Sequence, residues 1–120
     1  MNETLCDLKM ANLAKEKGFD GLVYEYFSEN GDPCDCSFTN INFSKNINVY
    51  SRPTLFHLQE WLLKTHKIYV NADPLFKLER HWYYTITNLK SKSVFIDESE
   101  IDDTFQDALT RGLYKALQDL

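Results

Sequence analysis

The end of the chain is the most restrictive feature of the sequence. Between Ile101 and Leu120, Ile101, Phe105, Ala108, Leu109, Gly112, Leu113, Ala116, Leu117 and Leu120 recur at intervals of three and four residues. That spacing lines them up along one side of an α-helix, and the two-residue period of a strand does not fit it. Ser99 is the expected N-cap, with Asp102 three residues on. The acidic run from Asp97 to Asp103 then complements the helix dipole. Gly112 costs about 1 kcal/mol relative to alanine inside a helix. Its place within the stripe therefore predicts a close approach to whatever layer covers the helix.

A stripe of this width needs an apolar partner layer, and the preceding residues supply one. Strands are predicted at Lys67–Asn71, His81–Thr87 and Ser93–Asp97. Ile68 and Val70 share one face of the first. Trp82, Tyr84 and Ile86 share one face of the second, opposite Tyr83, Thr85 and Thr87. Asp73-Pro74 separates the first two strands, and residues 88–92 suit a tight reversal. A helix opened by Arg52-Pro53-Thr54 aligns Leu55, Leu58, Leu62 and His66.

Another short helix is expected at Thr4–Lys17, with Gly18 in the left-handed position after it and Phe19 folded back onto its last turn. A strand at Leu22–Phe27 and a turn at Ser28–Cys36 follow. Ile41 with Phe43, and Ile47 with Val49, alternate with asparagines as weak strand signals. The expected order is α-β-β-α-β-β-β-α. It describes a single α+β domain over residues 1–120, a mostly antiparallel sheet with helices packed on one face.

The 120 residues carry a net charge of −5, which opposes a duplex-binding mode that gains affinity by neutralising phosphates. No run approaches the 18 apolar residues of a membrane span. Residues 1–7 are acidic where a secretory signal is basic, so a cytoplasmic location is expected. Cys6, Cys34 and Cys36 are an odd number of cysteines, read as reduced thiols in that compartment.

Several stretches resemble short proteins of unknown function from phages and prophages of gut Bacteroidetes. They are Leu13-Ala14-Lys15-Glu16-Lys17-Gly18-Phe19-Asp20, Pro53-Thr54 with Leu58, Trp61 and Leu62, and His66 with Ile68 and Val70. Trp82, Tyr84 and Ile86, and Ala108, Leu109, Gly112, Leu113, Ala116 and Leu117, complete the set. The resemblance implies a phage-related origin, and so a host-cell cytoplasm, without implying an activity. The order from Pro53 to Leu120 is also that of a double-stranded-RNA-binding domain. Where such domains present a basic cluster, this chain has Asp97, Glu98, Glu100, Asp102 and Asp103.

Cys34 and Cys36 lie in a turn where two thiolates could chelate zinc, but a structural zinc site takes four ligands, and the second pair would have to come from Cys6 and a histidine far away in sequence. His57, His66 and His81 lack the i, i+4 pairing of a helical metal site, and the acidic run lacks the alternation of a calcium loop. No metal or cofactor is expected. A nucleophilic Cys36 would need a base such as His66 or His81. Gly-rich phosphate loops and Gly-x-Ser-x-Gly elbows are absent from the sequence.

The strand pattern itself offers a candidate surface. With Trp82, Tyr84 and Ile86 turned toward the helices, Tyr83 and His81 face outward, joined by Tyr69 and flanked by Arg80, Lys67 and Lys90. Such a face suits stacking of a base or the seam of a homodimer, unless the asparagine-rich segment or a loop covers it. The leading expectation is a non-catalytic, phage- or mobile-element-related accessory protein that binds a macromolecule or self-associates. The alternatives are a nucleotide-sequestering protein, with a pocket rimmed by Tyr69, His81 and Tyr83, and a thiol enzyme using Cys36.

Overall fold

The computed structural model describes residues 4–36, 39–75 and 81–120, with the backbone alone at 97–100. The chain forms an α+β structure with antiparallel strand pairing and divides into two compact units, Met1–Thr54 and Leu55–Leu120.

In the first unit, helix α1 spans Leu8–Glu16 and buries Met10, Ala11 and Ala14. It starts four residues later than Thr4 because Asp7 caps it, accepting a hydrogen bond from the Met10 N–H at 2.8 Å. Before the cap the chain is extended. Leu5 bridges to Thr54, and the Cys6 N–H donates to the Pro53 carbonyl at 3.0 Å. At the other end Gly18 adopts φ +93°, and the N–H of buried Phe19 donates to the Ala14 carbonyl, the expected left-handed termination.

Strands β1 (Glu25–Phe27), β2 (Pro33–Asp35) and β3 (Tyr50–Ser51) form an antiparallel sheet in the order β2-β1-β3. The turn expected over Ser28–Cys36 is shorter than that. It closes between Ser28 and Asp32, and Pro33, Cys34 and Asp35 pair with β1. Proline is tolerated there because β2 is an edge strand.

The asparagine-rich segment contributes one bridge, Val23 to Ile41, in place of the two weak strands. Lys15 gathers the rest of that segment. Its ammonium donates to the carbonyls of Phe43 (2.9 Å), Asn46 and Val49 (2.7 Å) and lies 5.7 Å from the centre of the Tyr50 ring.

In the second unit, α2 (Leu55–Trp61) continues as a π-helical turn over Leu62–His66. Lys67 closes it at φ +59°, its N–H donating to the Leu62 carbonyl. Strands β4 (Ile68–Pro74), β5 (Trp82–Asn88) and β6 (Ser93–Asp102) form a second antiparallel sheet in the order β4-β5-β6. Helix α3 (Phe105–Gln118) packs on β4 and β5.

The expected N-cap, Ser99, falls within β6, which runs five residues past its predicted end. The cap is Thr104, accepting from the Asp107 N–H at 3.1 Å. Thr104 and Asp107 repeat the three-residue offset of Ser99 and Asp102, so the same signal occurs twice and the later copy prevails. Arg111 ties the strand end to the helix, donating from Nε to the Asp102 carboxylate at 2.7 Å and lying 5.2 Å from the Tyr84 ring centre.

Gly112 makes the expected close approach. A Cβ there would lie 2.9 Å from both Val70 Cγ1 and Tyr84 Cβ. Around it Leu58, Leu62, Val70, Tyr84, Leu109, Leu113 and Leu117 exclude water.

Two points of the expected architecture change. The strands make two three-stranded sheets rather than one, and the order among the described residues is α-β-β-β-α-β-β-β-α. The added strand is β2, and β3 lies just past the asparagine-rich segment, in place of the strand expected within it. No described helix is long and apolar enough to cross a membrane.

Candidate binding surface

Strand parity and cross-strand register build the surface of the second unit. Val70 and Ala72 are buried on the side of β4 that meets α3, so Tyr69, Asn71 and Asp73 lie on the other side. Residues directly opposite each other in an antiparallel pair share a face. On β5 that assigns Thr87, Thr85 and Tyr83 to the outer face, opposite Tyr69, Asn71 and Asp73 respectively. Val94 and Ile96 of β6 stand opposite Thr87 and Thr85 and complete it.

The exposures fit this assignment. On β4 and β5 Tyr84 is buried, whereas Tyr69 is 38% exposed; on β6 both faces are open, with Val94 58%, Phe95 47% and Ile96 54% exposed. Tyr83, Thr85 and Thr87 are half-buried. The surface is thus a strip of rings, methyl groups and hydroxyls on a regular sheet.

The proposed rim residues are spread out rather than gathered. Tyr69 is level with Thr87, four residues along β5 from Tyr83, a separation of about 13 Å at the usual strand rise. His81 precedes β5 and is half-buried, its carbonyl accepting from the Leu75 N–H at 2.8 Å. Arg80 lies outside the described residues. An extended partner spans such a distance; a single stacked base does not.

Val94 and Ile96 were not among the expected surface residues. The signal for them is the run Val94-Phe95-Ile96, which places apolar side chains on both faces of one strand.

The thiols sit in the first unit. Cys6 is buried, and burial, aided by the charge of Asp7, pushes its pKa up to about 12. Burial also raises Cys36, with the carboxylates of Asp35 and Glu25 adding to the effect. Both shifts favour the protonated thiol, opposite to the depressed pKa of a nucleophilic cysteine. Cys34 donates from Sγ toward the Asp32 carbonyl at 3.5 Å.

His66 meets Trp61 edge-on, ring centres 4.9 Å apart, within the second unit. Among the described residues no three histidine, cysteine or carboxylate side chains come together to hold a metal ion. No family model matches this chain, and no curated protein or solved structure matches it either.

Proposed function

We propose that this protein is a non-catalytic binding module that engages a protein partner through the outer face of the β4-β5-β6 sheet. The observation that carries the reading is the exposure of Tyr69, Val94 and Ile96 on one regular sheet face. Apolar side chains left in water on a rigid surface gain free energy when a partner covers them. The polar groups between them, Thr85, Thr87 and Asn71, supply hydrogen-bonding edges without strong charge. Asp73 opposite Tyr83 and the net charge of −5 oppose a polyanionic partner. The resemblance to phage and prophage proteins supports reading the module as an accessory protein acting inside a bacterial host.

Capture from a lysate of a gut Bacteroidetes bacterium tests it, comparing the wild type with Tyr69→Thr/Tyr83→Thr. Both substitutions keep strand propensity while removing the rings. A host protein enriched on the wild type and lost on the double variant, with thermal stability retained, is the expected outcome. Identical capture profiles for the two proteins would refute the reading.

A further inference from the structure

We infer that β6 is the seam of a symmetric homodimer, in which two copies of this chain pair their β6 edges antiparallel and join two three-stranded sheets into one of six. The inference deepens the binding reading by naming a partner, and it rests on that reading only for the use of the enlarged face.

Three observations carry it. In the order β4-β5-β6, β6 is bonded to a strand on one side, and among the described residues no strand pairs with its other edge. Next, the stretch 93–96 of that edge lacks the usual protection, which begins only at Asp97 and the register shift beyond it. Natural edges are blunted by proline, inward-pointing charge or very short length. Here Val94, Phe95 and Ile96 are three consecutive apolar residues, 58%, 47% and 54% exposed.

The third observation is the distribution of charge. The stretch regularly paired with β5 is Ser93–Asp97, centred on Phe95. Lys90 and Lys92 lie in the turn that leads into it, and Glu98 and Glu100 follow it. Beyond Asp97 the register changes, two steps on β5 matching five on β6, so the acidic residues stand in an irregular stretch at the end of the regular one.

A two-fold axis through Phe95 places Phe95 against its counterpart, Val94 against Ile96, and Ser93 against Asp97. Each basic turn then meets the other copy's acidic end, twice per dimer. Parallel pairing would set like charges side by side, so the charge pattern selects the antiparallel arrangement. Val94 and Ile96 both belong to the outer face, so the apolar strip continues across the seam. A seam this short falls at the weak end of protein interfaces, implying association at micromolar concentrations and above.

Charge reversal in two separate chains provides the test. Lys90→Glu/Lys92→Glu makes both ends of the edge acidic, and Glu98→Lys/Glu100→Lys makes both basic. Light scattering after size exclusion at roughly 300 µM, well above a micromolar dissociation constant, should give twice the mass of one chain for the wild type. Each variant alone should run as a monomer, and an equimolar mixture of the two should restore the dimer. A monomeric wild type, or variants that dimerise alone as the wild type does, would overturn the inference. A mixture that stays monomeric would also overturn it, because both chains still display the same Val94-Phe95-Ile96 edge. Tyr69→Thr/Tyr83→Thr lies away from the seam and should keep the dimer mass. Loss of partner capture with a preserved dimer, or the reverse, therefore separates failure of one reading from failure of the other.

Discussion

A methyl group at position 112 has no room. Val70 Cγ1 and Tyr84 Cβ are close to their own backbones and cannot swing aside as a long side chain would. Gly112→Ala gains about 1 kcal/mol of helix propensity and loses about 1–3 kcal/mol to overpacking. The expected net effect is a lower midpoint in urea with an unchanged slope; a raised midpoint would mean that α3 and the sheet separate freely. Cys6 gives a residue-scale prediction in pH. Its pKa is raised by burial from 9.0 to about 12, so the folded chain keeps a proton that the unfolded chain releases. The stabilisation is full below pH 9 and is lost as pH rises toward about 12. The stability difference between wild type and Cys6→Ala should shrink across that range, measured by urea titration at each pH. A constant difference would show that Cys6 ionises alike in both states. Gly112 was legible because a costly residue inside a regular stripe needs a reason. The pairing of Lys15 with carbonyls 28, 31 and 34 residues away was not, because no local pattern announces a long-range lysine cap.

The elements differed in how openly the sequence declared them. Helix α3 and strands β4 and β5 were legible because their apolar residues keep one period over many residues, which averages out local preference. Strand β2 was not, since Pro33-Cys34-Asp35 has turn composition and becomes a strand only by pairing with β1. The start of α3 was misplaced because two good capping pairs lie five residues apart, and continued strand structure through Asp102 excludes the earlier one. Thr104→Ala should therefore cost about 1 kcal/mol, read as a lower midpoint in thermal or urea unfolding. An unchanged midpoint would place the helix start elsewhere. The outer face was half legible. Alternation alone gave Tyr69 and Tyr83 their side of the sheet, but their spacing of about 13 Å, at about 3.3 Å per residue, follows from a register that no single strand encodes.

At the scale of the molecule, each of the two units contains buried apolar groups, and several polar side chains among the described residues serve structure. Asp7 and Thr104 cap helices, Arg111 ties α3 to β6, Lys15 collects carbonyls, and the buried thiols stay protonated. The β4-β5-β6 outer face presents Tyr69, Val94 and Ile96 to water in register on one regular sheet. Backbone amide NMR of the labelled protein, titrated with the captured partner, reports on that assignment directly. Shifts concentrated at residues 69–73, 83–87 and 94–96, with the exposed side of α3 unmoved, are the predicted result. Shifts centred on α1 or on the Cys34–Cys36 strand would contradict it.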